Sequence, residues 1–438
     1  MDLNETAQRA PNPDVLDRAI RRAKWRLIPF LLLMYLLSYL DRANIGYAKQ
    51  AYQGATGVSD AAFAFGAGIF FLTYALCEIP SNLMLHRVGA RKWMARIMVT
   101  WGLISATMVS AKSDTSFSVV RLFLGAAEAG FFPGSILFLT YWFPARALGQ
   151  VMATFYFGAP LALMLGGPLS GLLLDLDGTF GLQGWQLMFA VEGLMASLVG
   201  VWAYFYLTDR PAKASWMPQD ERDALTQVIA AEENAKQARG TVTFGAVFRN
   251  PRLLHFAAIY FLIQISGYGV AFYLPTQVSA LLGVKVGLLV GFVSAIPWAC
   301  AIVAGSFWPA LAMRTGYRRT FAVISLTGIG VGLSLSANLP PALAIAALCL
   351  VTSGIITAQP IFWTFPTDHF GGVGAAAGIA TINALGNFGG IVAPNVKTWL
   401  EQSFGSTTIG LYFLAFASLL AALLVSGLRG SDVTQAKL

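Results

Sequence analysis

The chain has 438 residues, of which 56% are hydrophobic and only 11% charged, against about 25% charged residues in a soluble globular protein. Apolar runs long enough to cross a bilayer recur almost end to end, which excludes a soluble domain. Because the runs are continuous and do not alternate, they also exclude a transmembrane β-barrel. The net charge of +8 is spread over separate loops and forms no basic patch with exposed aromatics, so nucleic acid is not an expected partner.

Twelve spans are expected, at 26–48, 62–85, 93–111, 117–143, 147–174 and 186–207, and then at 252–282, 287–311, 318–337, 341–365, 373–400 and 407–428. Each is long enough to cross about 30 Å of hydrocarbon as a helix. The fold class is therefore an all-α membrane protein of twelve transmembrane helices in two six-helix halves. The expected organisation is a tail at 1–25, a first half at 26–207, a linker at 208–250, a second half at 251–428 and a tail at 429–438. The polar first 24 residues lack the short apolar core of a cleaved leader.

Of the 29 Lys and Arg residues, 23 lie in the two tails and in alternate loops on one side. The other side carries only Lys49, Lys112, Lys285 and Lys397, and Arg42 and Arg121 lie inside spans. The positive-inside rule then puts both termini and the middle loop in the cytoplasm. Within that loop, Leu225, Val228 and Ile229 recur at helical spacing after the Pro218-Gln219-Asp220-Glu221 start, which predicts an amphipathic surface helix.

The first span interrupts its apolar run with Asp41-Arg42. Each such charge costs about 2.5–3.5 kcal/mol at the centre of a membrane helix on insertion scales, so both must face a partner or a wet cavity. The fourth span carries Arg121 and Glu128, seven residues apart and therefore on one helix face about 10 Å apart. Fixed arginines at mid-membrane suit an anionic carboxylate, because the planar guanidinium takes it bidentately and stays protonated. Asp41 and Glu128 are the carboxylates that could couple transport to protons. The alternative is that the four charges are structural ion pairs. Adjacent Asp41 and Arg42 point about 100° apart and cannot address one spot.

Other polar groups inside spans are candidates for a hydroxylated ligand: Tyr39 and Tyr74 in the first half; Gln264, Tyr268, Gln277, Gln359, Trp363, Thr364, Asn383 and Asn387 in the second. For each, interhelical bonding is the competing role. The pairs Gln359 with Trp363 and Asn383 with Asn387 are four apart and share a face. Glu78 and Glu192 are further embedded acids, and Glu78, near a span end, reads as a gate or an interhelical bond. Gly166-Gly167-Pro168-Leu169-Ser170-Gly171 predicts bending and close packing.

No H-E-x-x-H, G-x-S-x-G, phosphate-binding loop or dinucleotide fingerprint occurs, so an enzyme is not expected. The three cysteines, Cys77, Cys300 and Cys349, fall inside apolar segments and imply neither a disulfide framework nor a metal site. No cofactor or metal is expected.

The loops after the second and eighth spans repeat one pattern, Arg87-Val88-Gly89-Ala90-Arg91-Lys92 and Arg314-Thr315-Gly316-Tyr317-Arg318-Arg319. Arg87, Arg91, Arg314 and Arg318 are candidates for a gating clasp. This loop resembles the signature of the major facilitator superfamily, with Ser81 and His86 where that signature has Gly and Asp. Within it, Tyr39 to Gly46, Pro80-Ser81-Asn82, Arg121 with Glu128-Ala129-Gly130-Phe131-Phe132-Pro133-Gly134, and Trp142-Phe143-Pro144 resemble the anion:cation symporters. Ala48-Lys49-Gln50, Phe157 to Leu163, Leu274 to Val278 and Gln359 to Thr364 resemble sugar-acid carriers of the L-rhamnonate type.

The resemblance implies a proton-coupled symporter that imports a small organic anion by alternating access, with protons carried by Asp41 and Glu128. Its expected place is the bacterial inner membrane, its partners the anion, protons and lipid, and its state a monomer. Alternatives are an exchanger or efflux carrier, a symporter for tartrate or an aromatic carboxylate such as phthalate, and a membrane sensor that moves nothing.

Overall fold

The computed structural model describes residues 12–237, 251–369 and 374–428. The expected tail 429–438, the start of the N-terminal tail and the end of the linker lie outside the described residues. Among those described, all regular structure is helical. The first half comprises α1 (Pro13–Thr56), α2 (Asp60–Val88), α3 (Ala90–Ala106), α4 (Asp114–Glu128), α5 (Phe131–Trp142), α6 (Ala145–Tyr156), α7 (Gly158–Asp175) and α8 (Gly184–Tyr206). Helix α9 (Gln219–Gln237) follows. The second half holds α10 (Pro251–Leu282), α11 (Leu288–Thr315), α12 (Arg318–Ser336), α13 (Pro341–His369), α14 (Gly374–Asn387), α15 (Gly389–Phe404) and α16 (Thr407–Ser426).

Among the described residues, ten segments are long and apolar enough to cross a membrane. The third expected span, α3 with the 3-10 turn Thr107–Ser110, and the eleventh, α14 with α15, bring the number to twelve. Three spans expected as single helices are interrupted. The fourth breaks between α4 and α5, where Gly130 takes φ 86°, a left-handed conformation that costs glycine nothing. The fifth breaks at Phe157 and the eleventh at Phe388. The first is much longer than expected, because Pro13 at its first turn and the Asn12 side chain capping Asp14 start it early.

Spans alternate in direction, so the bundle has two ends. The terminal end carries Pro13, Ser426 and α9; the far end carries Thr56, Asp175, Leu282 and Phe404. Helix α9 buries Leu225 and docks on the first half: Arg22 donates to Glu221 at 2.7 Å, the Ala145 amide donates to Glu232 at 2.9 Å, and Trp216 stacks on Trp142.

The halves meet at the far end, where glycine lets backbones touch. A Cβ on Gly167 would meet the Gly291 carbonyl at 2.6 Å, and Gly171 lies equally tight against Gly287. This accounts for Gly167 and Gly171 of the 166–171 motif as packing residues between α7 and α11, while Gly166 packs on Leu40 of α1. Gly46 of α1 likewise packs on the Phe272 carbonyl of α10. The Leu288 amide donates to Asp175 at 2.8 Å and Ser279 to Gln50 at 3.2 Å, both across the same seam.

Candidate functional site

Ser38 and Arg42 are one turn apart on α1 and face α4 together. Glu128 is the last residue of α4, where the helix dipole and unpaired carbonyls already put negative charge, so its carboxylate needs a cation. Arg42 supplies it: Nε donates to Oε1 at 2.8 Å and Nη2 stands 2.7 Å from the same oxygen, while the Ser38 hydroxyl donates to it at 2.7 Å. The Glu128 side chain is fully enclosed; that of Arg42 keeps 11% of its surface exposed. The guanidinium also sits 4.9 Å from the Tyr74 ring and 5.5 Å from that of Tyr39. Arg42 is therefore the partly exposed member of the pair, and aromatic faces hold it in place.

Arg121 behaves differently. It is buried, 4.7 Å over the Phe70 ring, and donates to the Gly66 carbonyl at 3.4 Å. The shared helix face with Glu128 does not lead to a pair in this conformation: Arg42 and Ser38 hold Oε1 of Glu128, its Oε2 has no partner, and Arg121 turns to Phe70 and Gly66. Asp41 turns away from Arg42, as the 100° offset requires. It is buried against α3, accepting from Ser105 and, at 3.5 Å, from Asn44.

The second half faces this charge with amides and rings. Gln359 of α13 donates to Gln264 of α10 at 3.2 Å, and Gln264 donates to Asn387 of α14 at 3.3 Å. Three of the expected polar residues thus form one chain that joins three helices. Trp363 lies 4.7 Å from Tyr260, which stacks on Phe362. Asn383, one turn before Asn387, is partly exposed. Tyr268 packs at 4.3 Å on Phe71 across the seam. Gln277 instead donates to Ser336 at 2.9 Å, and Thr364 to the carbonyl of Ile361, so both bond within their own half.

At the far end, Lys49 pairs with Asp60 at 2.9 Å in the first half, and Lys397 with Glu401 at 2.6 Å in the second. The Tyr273 ring lies between them, 5.3 Å from Lys49 and 3.8 Å from Lys397. At the terminal end, charges join within each half: the Arg91 amide donates to Asp209 at 2.8 Å and Arg318 to Asp368 at 2.6 Å, while Arg87 and Arg314 are exposed. Of the four candidate gating arginines, Arg91, through its backbone amide, and Arg318 make these contacts with the halves packed together at the far end.

The Major Facilitator Superfamily profile matches residues 31–394. The chain belongs to that superfamily. It is 44% identical over 415 residues to the inner membrane transport protein RhmT of Escherichia coli, covering 95% of this chain and 96% of that protein. It is 41% identical over 414 residues to a putative tartrate transporter of Agrobacterium vitis, covering 94% of this chain and 91% of that one. Among solved structures, the xylose transporter XylE from Escherichia coli covers 94% of this chain and 99% of its own, with a TM-score of 0.73 and 14% identity, a likeness of fold alone.

This facilitator is accordingly a multi-pass membrane transporter and not an enzyme. What the sequence reading missed is the set of small partners that fix its charges: Ser38 and Ser105 on the carboxylates, Phe70 under Arg121, and Tyr273 between two lysines. Serine four residues before Arg42 was a usable signal. Ser105 and Tyr273 come from distant spans, and only the packing brings them in.

Proposed function

We propose that this transporter is a proton-coupled symporter that imports a small organic anion, a sugar acid of the L-rhamnonate type, by alternating access. The observation that carries the reading is the enclosed Arg42–Glu128 pair, in which the arginine side chain keeps 11% of its surface exposed and the glutamate none. In the empty carrier, Glu128 occupies Arg42. Protonation of Glu128 removes the competing charge, and Arg42 then takes the substrate carboxylate. Neither ligand is well held alone: an anion without a freed arginine would leave charge unpaired in a medium where that costs several kcal/mol. Arg121 becomes available to the anion only in a conformation that uncovers it, and Asp41 is the second proton-carrying group.

Hydroxyl groups of the substrate would meet Tyr39, Tyr74 and the chain of Gln359, Gln264 and Asn387, with Asn383 and Trp363 alongside. With the termini in the cytoplasm of a bacterial inner-membrane protein, as the basic loops argue, the packed far-end seam would be the side closed toward the outside. The four loop arginines would act in the opposite state, holding the terminal end shut.

The name of the Agrobacterium vitis relatives, at 41% and 42% identity, supports a second reading, in which the anion is tartrate. A thermal-shift screen with aldonates, tartrate and aromatic carboxylates separates the two: stabilisation by an aldonate alone is expected, and stabilisation by tartrate alone selects the second. Uptake into proteoliposomes against a concentration gradient, driven by an imposed pH gradient, distinguishes symport from exchange. Counterflow without uphill uptake would identify an exchanger.

A further inference from the structure

The membrane interior of the first half contains three fully buried acids, Asp41, Glu128 and Glu192, but two arginines. Arg42 is committed to Glu128. Arg121 is the cation that acts on Asp41. Glu192 of α8 is 2% exposed and makes no ion pair among the described residues. One oxygen, Oε1, accepts from Ser170 of α7 at 2.8 Å; the other, Oε2, has no partner. Asp41 is built alike, with Ser105 of α3 on Oδ1 and no partner on Oδ2.

Asn44 stands between the two. It is 1% exposed, its amide donates to Asp41, and its side chain also faces Glu192. Its Oδ1 is buried without a partner. Unpartnered oxygens on Asp41, Asn44 and Glu192 therefore lie within the packing of α1 and α8 against α3 and α7. The groups facing Glu192 from these helices are Asp41, Asn44 and Tyr47 from α1 and Ser170 from α7, and none is a cation. An unpaired carboxylate in such a place costs several kcal/mol, far more than a neutral carboxyl with one hydrogen bond. A proton on one carboxyl gives that group a donor of its own and removes one of the two buried negative charges.

We propose that Glu192 holds a proton shared with Asp41, and that this pair is the far-end step of the proton route to the central site. The inference rests on the proton-coupled reading for its role in transport, but not for the proton itself. Transfer breaks the O–H bond at Oε2 of Glu192 and forms one at Oδ2 of Asp41, and the charge of the pair stays at one negative. The Asn44 amide, with two N–H groups, can donate to whichever carboxylate is ionised. Glu192 lies toward the far end from Asp41, since α8 begins there at Gly184 and α1 ends there at Thr56. Tyr47, which also feels Glu192, faces Ser294 of α11 across the seam. Separation of the halves at the far end would part Tyr47 from Ser294 and open Glu192 to water on that side.

The test is infrared difference spectroscopy of the purified transporter, with deuterium exchange. A carboxylic C=O stretch is expected at neutral pH, lost in Glu192→Gln and displaced in Asp41→Asn. Ser170→Ala, a small change for use where Glu192→Gln does not fold, shifts the same band by removing its one hydrogen bond. Absence of the band from the wild type, or its survival in Glu192→Gln, overturns the proposal. In proteoliposomes, Glu192→Gln is expected to lose uphill accumulation and keep counterflow, and full accumulation overturns the relay. If the wild type shows no pH-driven uptake, the symport reading fails, and the infrared band still decides whether Glu192 carries a proton.

Discussion

Replacing Glu128 by glutamine separates the anion's competitor from the proton's carrier. The amide oxygen can still accept from Arg42 and Ser38, which stand at 2.8 and 2.7 Å from Oε1, so the fold need not change. What is lost is charge. A hydrogen bond to a charged partner contributes about 1.5–3 kcal/mol and one to a neutral partner about 0.5–1.5, so Arg42 is held about 1–2 kcal/mol less firmly in the empty carrier. Substrate that displaces Glu128 from Arg42 regains that difference, about 5- to 30-fold in affinity. Glu128→Gln is thus expected to bind the anion more tightly than the wild type and to exchange it freely, while failing to accumulate it on a pH gradient. Equilibrium binding by isothermal titration, read beside counterflow and uphill uptake on one preparation, checks all three. Weaker binding would show that Glu128 does not compete for Arg42, and undiminished accumulation would remove it from coupling.

Arg42→Ala and Arg121→Ala should each abolish uptake, and Arg42→Lys should restore little, because lysine lacks the planar fork; near-normal transport by Arg42→Lys would mean that the site needs only a point charge. Gln264→Ala removes the centre of the amide chain and should weaken binding of hydroxylated acids, whereas Gln277→Ala, losing only its bond to Ser336, should lower thermal stability and leave affinity unchanged; equal effects on affinity would refute the division. Gly46→Leu places a side chain against the Phe272 carbonyl and should hold the far end open, read as a longer spin-label distance across the seam with loss of transport; an unchanged distance would show that this contact does not close the carrier. Lys397→Met removes the cation 3.8 Å from Tyr273 and leaves Glu401 without its partner at 2.6 Å. It should shift the same distance distribution toward the open form, and a distribution like that of the wild type would exclude the lysine cluster from gating.

The twelve spans were legible because a bilayer demands long apolar runs, and no tertiary contact is needed to see them. The breaks at Gly130, Phe157 and Phe388 were not, since each falls within a run long and apolar enough overall to read as one continuous span. Arg42 and Glu128 were visible as costly charges, but their pairing with one another was not. Spacing along α4 pointed to Arg121 as Glu128's neighbour, and it took the approach of α1, with Ser38 and Arg42 on one face, to give Glu128 a different partner. Glu192 was visible as an acid without a role; the role proposed here depends on Asn44 and Asp41 arriving from another helix.

The central claim is that a proton and an anion cross together through the charges of α1 and α4. Its most direct test is the proton flux that accompanies substrate uptake into lightly buffered proteoliposomes carrying an internal pH dye, with no gradient imposed. Addition of the transported acid anion should acidify the lumen in the wild type and not in Glu128→Gln. Uptake of the labelled anion by the wild type with no change in lumenal pH would contradict the account.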